Sequence, residues 1–221
     1  MDSFFVMQGV PLLRLGLDMR TIKTIIFDMG NVIIPFDFRR GYAAFEQHTD
    51  LPASEISERI RATALVPELE SGRMEPREFV AAMNTALGAE LTYEAFREIW
   101  SSIFLPETLI PEELVVRLKE NYRLLVLSNT NAIHFEMVWE AYPLLRHFDH
   151  LILSHEVKAL KPDAAMYAAA LAEARAEAGE CFFTDDIATY VEGARLSGMQ
   201  AEQFLGYEKL LGDLRVRGVD V

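Results

Sequence analysis

Thr24-Ile25-Ile26-Phe27-Asp28-Met29-Gly30-Asn31-Val32 is the stretch on which the fold turns. Its first four residues are β-branched or aromatic with no polar alternation, which reads as a strand buried on both faces, and Asp28 ends the run. A strand buried on both faces needs helices on either side of its sheet. Working outward, the same signal returns at Leu124-Leu125-Val126-Leu127, at 150–154, at 181–184 and at 200–204. Amphipathic stretches at 132–141, 163–176 and 189–196 separate these runs, and a further helix is expected at the C-terminus. Alternation of this kind implies a parallel sheet covered by helices.

The alternation breaks once. Between Phe27 and Leu124 no convincing strand occurs, while segments 42–48, 53–65, 76–87 and 93–104 carry apolar residues at three- and four-residue spacing. Residues 37–108 are therefore expected to be a helical insertion, with methionines and aromatics forming its own core. Pro111-Glu112-Glu113 then opens a helix with proline and acids where the helix dipole favours them.

Composition narrows the function. The chain has 221 residues, and 34 acids against 21 bases give a formal charge of −13 with no basic run, which would repel nucleic acid. The single cysteine, Cys181, lies in an apolar stretch and reads as a buried strand residue, which fits a reducing cytoplasm. Residues 1–20 read as an N-terminal extension, with Met7 and Met19 as alternative starts. A signal peptide is not expected there, because Asp2 opens the stretch and Arg14 interrupts its apolar run. No apolar run is long enough to span a membrane. His147 and His150 lack further ligands for zinc, and no Gly-x-Ser-x-Gly elbow or phosphate-binding glycine loop is present.

In an open parallel sheet ligands collect at the carboxyl ends of the strands, so the polar residues that follow each run are the candidates. They are Asp28-Met29-Gly30-Asn31, Ser128-Asn129-Thr130-Asn131 and Asp185-Asp186, with Lys161-Pro162 ahead of a helix expected to hold the proline in its first turn. Together they suit attack on phosphorus. Asp28 can act as nucleophile and form an aspartyl phosphate. Asp28 and Asp186 can hold a hard divalent cation, with Asp185 acting from behind them. Lys161, the Ser128 hydroxyl and the backbone N–H groups of the loop at Asn129 can meet the remaining phosphoryl charge.

These four motifs, Ile26-Phe27-Asp28-Met29-Gly30-Asn31-Val32, Leu127-Ser128-Asn129-Thr130-Asn131, Lys161-Pro162 and Phe183-Thr184-Asp185-Asp186, resemble in order those of the haloacid dehalogenase-like superfamily. The first motif, with Val191-Glu192-Gly193-Ala194, looks closest to the bacterial branch of alpha-D-glucose-1-phosphate phosphatase and epoxide-hydrolase-like members. The resemblance implies an α/β fold: a Rossmann-like parallel sheet core flanked by helices (21–36 and 109–221) with a small all-helical cap (37–108) inserted after the first motif. It also implies Mg²⁺ held by Asp28, the backbone carbonyl of Gly30 and Asp186, and a small phosphorylated metabolite, such as glucose 1-phosphate, as substrate.

One position departs from that pattern. Most phosphatases of the superfamily have an acid–base aspartate two residues after the nucleophile, where this chain has Gly30, which has no side chain to move a proton. Asp37 and His48 are the substitutes offered by the insertion, and Phe36, Phe38 and Trp100 are candidates to line a substrate entrance. A 2-haloacid dehalogenase, which attacks carbon without metal, also lacks the second aspartate. The pair Asp185-Asp186 argues for the metal-dependent reading over that rival. A binding module that has lost turnover is a third reading, opposed by the retention of Asp28, Ser128, Lys161 and Asp186.

Overall fold

The computed structural model describes residues 21–221. The reading of residues 1–20 as an extension lies outside the described residues. Five strands, β1 (Thr24–Phe27), β2 (Arg123–Ser128), β3 (His150–Leu153), β4 (Cys181–Asp185) and β5 (Gln200–Gln203), form one sheet in the order β3-β2-β1-β4-β5. All four pairings are parallel, with Ile26 opposite Leu125 on one side and Phe183 on the other. The central strand is buried at every position, as its uninterrupted apolar run requires. Successive strands build outward from β1 through β2 to β3, and then β4 and β5 fill the opposite side. The chain thus reverses direction across the sheet between β1 and β4, and ligand crevices open at such a point.

Between β1 and β2 lie α1 (Phe38–Phe45), α2 (Ala53–Thr63), α3 (Leu65–Glu70), α4 (Pro76–Leu87), α5 (Tyr93–Ser101) and α6 (Glu112–Lys119). The rest of the chain adds α7 (Ala132–Ala141), the short α8 (Ser154–Val157), α9 (Ala164–Ala174), α10 (Ala188–Leu196) and α11 (Tyr207–Val216). Two apolar clusters pack on the faces of the sheet. One contains Ile25, Phe27, Leu124 and Phe182, and the other Ile26, Leu125, Leu127 and Phe183. A third, with Phe45, Phe79, Met83, Phe96 and Trp100, is built almost wholly from α1 to α5 and adds Ile133 of α7. The aromatic and methionine residues of this interval thus form a core of their own.

Two local readings are corrected. The segment expected as one helix over 53–65 is two, because Ala64 takes a left-handed conformation (φ 55°) that ends α2 and starts α3. Pro162 is not in the first turn of its helix either. Asp163 follows it as the N-cap, its side chain accepting from Ala165 N at 2.8 Å, so Pro162 precedes the helix and α9 begins at Ala164.

Candidate active site

Strand pairing continues one residue past β1, where Asp28 N donates to Thr184 O at 2.9 Å, and this holds the Asp28 backbone at the sheet's carboxyl edge. Lys161 reaches it from the segment between α8 and α9. Its ammonium donates to Asp28 Oδ1 at 2.8 Å, Asp185 Oδ2 at 2.6 Å and Leu127 O at 2.9 Å, so its three protons meet three acceptors. The side chain is 1% exposed. Asn129 fixes the Lys161 backbone in turn, accepting from Lys161 N at 2.7 Å and donating to Lys161 O at 3.2 Å. The Tyr190 ring stands 5.1 Å from the ammonium, and its hydroxyl accepts from Asn129 Nδ2 at 3.4 Å.

Asp185 and Asp186 close the other side. Asp185 Oδ1 accepts from Ile187 N at 2.8 Å while Oδ2 faces Lys161, so both oxygens of this fully buried carboxylate are engaged. Asp186 is half-buried, is hydrogen-bonded by the Asn31 side chain, and has its backbone carbonyl held by Gln203 Nε2 at 2.8 Å. One oxygen from each of Asp28, Asp185 and Asp186 lies within 4.8 Å of the other two, and among the described residues this is the one such acidic cluster. Ser128 ends β2 beside them, 2% exposed, and its hydroxyl has only a 3.5 Å contact to Asn129 O. It is free to donate to an incoming anion.

The electrostatics of the cluster fit a bound cation. Three carboxyl groups gather around one ammonium, a surplus of acids in a largely buried site. Burial pushes the Asp28 carboxyl well above its usual range, Lys161 pulls it back and Asp185 raises it further. Burial and then Asp185 raise Asp186 as well. Burial works against the Lys161 ammonium, but Asp28 and Asp185 outweigh it and hold the charge in place. An oxygen-only donor set with surplus negative charge suits a hard divalent ion.

Phe36 closes the position at Gly30. A Cβ on Gly30 would meet Phe36 Cε1 at 2.8 Å, closer than side-chain atoms approach. The turn that brings the ring there is tight: Ile33 N and Ile34 N both donate to Met29 O, Asn31 N donates to Ile34 O, and Asn31 sits at φ 53°. Asparagine tolerates that left-handed conformation, and its Oδ1 accepts from Phe36 N at 3.2 Å. Sequence reasoning placed Asn31 in the first motif but did not foresee its two uses, in holding Phe36 and in bonding Asp186. Tyr190 was also missed, since nothing in its helical context distinguishes it from a packing residue.

Of the two substitutes for the missing aspartate, Asp37 is engaged elsewhere and His48 is exposed. Asp37 caps α1, accepting from Arg39 N at 3.0 Å, and its hydrogen bonds and ion pair with Arg39 hold its carboxyl below the usual range. His48 lies exposed in a single turn after α1. Of the three candidates for an entrance, Phe38 and Trp100 line a cavity of about 540 Å³ among α1, α2, α3, α5 and α7, with Tyr42, Phe45 and Glu70. Phe36 does not line it but packs against Phe38 at 5.0 Å between ring centres. Asp28, Lys161, Asp185 and Asp186 are not in its walls.

A parallel sheet with a buried aspartate–lysine pair at its central carboxyl edge, and a helical insertion after the first strand, defines a hydrolase of the haloacid dehalogenase-like family. The family model matches residues 22–198, and this chain belongs to that family. Among characterised relatives, the chain is 27% identical over 190 residues to a D-ribitol-5-phosphate phosphatase of Bacteroides thetaiotaomicron, covering 82% of this chain and 91% of that protein. A phosphatase of Mycobacterium tuberculosis is 25% identical over 187 residues, covering 82% and 86%. The structure is also similar to that of a family enzyme of Bacteroides thetaiotaomicron in complex with magnesium and inorganic phosphate, with a TM-score of 0.74 and 26% identity over 82% of this chain and 93% of that one.

Proposed function

We propose that the protein is a Mg²⁺-dependent phosphomonoester hydrolase that acts on small phosphorylated metabolites, sugar or polyol phosphates foremost, through an aspartyl phosphate on Asp28. The observation that carries this reading is the placement of the Asp28 carboxylate 2.8 Å from the Lys161 ammonium and within an acidic cluster completed by Asp185 and Asp186. Similarity to a ribitol phosphate phosphatase supports the substrate class.

Asp28 attacks phosphorus with one carboxylate oxygen as the bond to the leaving group breaks. Lys161 holds that carboxylate in position and, with the Ser128 hydroxyl and the backbone N–H groups that follow it, faces the phosphoryl oxygens. Asp28, the Gly30 carbonyl and Asp186 would hold Mg²⁺, which when bound neutralises charge between nucleophile and phosphate. Asp185 keeps Lys161 aligned from behind. Dehalogenation has no use for such a cluster of acids, and the metal-dependent reading is the better one.

The test is hydrolysis of ribitol 5-phosphate, glucose 1-phosphate, other sugar phosphates, nucleotides and an aryl phosphate, with Mg²⁺ or with chelator, by wild type and Asp28→Asn. Turnover is expected only with metal and intact Asp28. Metal-independent turnover, or turnover that survives the substitution, would sink this mechanism, and halide release from 2-chloropropionate without phosphatase activity would install the dehalogenase.

A further inference from the structure

The motif Val191-Glu192-Gly193-Ala194 supplies nothing to the acidic cluster, and its glycine is explained by what packs on it. A Cβ on Gly193 would meet Tyr167 Oη at 2.5 Å and the Tyr167 ring at 2.7 Å, so the absence of a side chain lets this buried tyrosine of α9 lie directly against α10. From there the Tyr167 hydroxyl donates to Tyr190 O at 2.8 Å. Burial, with Asp185 next, raises the Tyr167 pKa, so the hydroxyl stays a donor. The bond fixes Tyr190 near the start of α10, beside the loops of the site.

Tyr190 meets Lys161 in two ways. Its ring centre lies 5.1 Å from the ammonium and that of Phe183 lies 5.6 Å away, so two aromatic rings adjoin a cation that is cut off from water. Its hydroxyl accepts from Asn129 Nδ2 at 3.4 Å. The same amide donates to Lys161 O and accepts from Lys161 N, so all of its hydrogen-bonding groups serve the segment that carries the lysine.

The anchors of the ammonium are not equally lasting. As Asp28 becomes an aspartyl phosphate it gives up its carboxylate charge, and the charge-assisted bond from Lys161 weakens in mid-reaction. The ring and the Asn129 amide are untouched by that chemistry. Resting on the phosphatase reading, we propose that Tyr190 is a positioning residue for Lys161, its ring and its bond to Asn129 keeping the ammonium aimed at the phosphoryl group after Asp28 has lost its charge. Gly193 and Tyr167 stand behind it, which gives the Val191–Ala194 motif a use in the site.

Inorganic phosphate is the probe. Its Kd is measured from the rise in Tm it causes in the presence of Mg²⁺, for wild type, Tyr190→Phe and Tyr190→Leu, alongside kcat/KM for p-nitrophenyl phosphate and the rise in Tm caused by Mg²⁺ alone. Tyr190→Leu is expected to weaken phosphate and lower kcat/KM by about three- to thirtyfold, the worth of a cation–π contact shielded from water, while the Mg²⁺ effect is kept. Tyr190→Phe retains the ring and should fall between wild type and Tyr190→Leu. In a Lys161→Met background the loss of phosphate affinity on Tyr190→Leu should shrink to less than about twofold, because the group it positions is already gone. A merely structural role would lower stability without separating phosphate from Mg²⁺ and without this dependence on Lys161. Unchanged phosphate affinity in Tyr190→Leu, a loss shared equally by Mg²⁺, or a loss that persists in full without Lys161 would overturn the proposal while leaving the Asp28 mechanism intact. Turnover that does not need Asp28 would strike the underlying reading instead. Should Lys161→Met not fold, the ranking of wild type, Tyr190→Phe and Tyr190→Leu still decides, and a phenylalanine variant as impaired as the leucine one counts against the ring.

Discussion

Gly30 shows how one residue is held in place by the space around it. Restoring the family's usual aspartate there is an obvious way to seek a faster enzyme, but the Phe36 ring, packed against Phe38 and Phe104, stands 2.8 Å from where the new Cβ would be. Overpacking of this kind typically costs about 1–3 kcal/mol. Gly30→Asp is therefore expected to be less stable than wild type in urea denaturation and to gain no activity, whereas Gly30→Asp with Phe36→Ala should recover most of the stability. An active, undiminished single variant would show that the ring moves aside freely. The same crowding explains why the sequence could reveal the absence of an acid at Gly30 but not its cause: Phe36 is six residues away and reaches Gly30 only through the turn set by Asn31.

At the scale of elements, α7 and α5 meet through His134. Its Nε2 donates to Trp100 O at 3.0 Å, which leaves Nδ1 to accept from Asn131 Nδ2 at 3.2 Å, and its ring stacks on Trp100 at 5.4 Å. This neutral arrangement has no place for a second proton, and burial lowers the His134 pKa to about 4. A depressed histidine contributes stability that is fully present above its unfolded pKa and is lost as pH falls from about 6.5 towards 4. Against His134→Gln, the wild-type advantage at pH 7 should shrink by about 2–3 kcal/mol by pH 4 in urea melts, and a constant gap would disprove the assignment. Glu70, whose carboxyl burial pushes up to about 7, titrates with the opposite sign but is common to both proteins and cancels. The contact also marks what was legible beforehand. Strand runs such as Leu124–Leu127 announce themselves locally, through burial on both faces. Asp28, Ser128, Lys161, Asp185 and Asp186 were legible for the same reason, each following a strand or preceding a helix. Glu70 and His134 make their contacts across the boundary between insertion and core, and Tyr190 reaches Asn129 on another loop of the core; helical periodicity says only which face of a helix is apolar, not which foreign loop it will meet.

For the molecule as a whole, the sheet order matters more than any one side chain, because β2, β1 and β4 are neighbours and present Ser128, Asp28 and Asp185-Asp186 along one edge. A cation bound at that edge would link strands on both sides of the reversal in chain direction and would bind the folded state alone. At a hundredfold excess over its Kd such an ion stabilises by about 2.7 kcal/mol, and in a chain of this size each kcal/mol moves Tm by about 2–4 °C. Mg²⁺ at constant ionic strength is thus expected to raise Tm by roughly 5–10 °C. An overall charge of −13 complicates the reading, since any divalent ion also gathers on acidic surfaces such as that formed by Glu112, Glu113 and Glu120. Two variants separate the sources, because Asp186→Asn should lose most of the Mg²⁺-induced shift while Glu113→Gln keeps it. If the shift survives in Asp186→Asn and falls in Glu113→Gln, the ion is held by the surface field, and the acidic cluster beneath the sheet edge is not a metal centre.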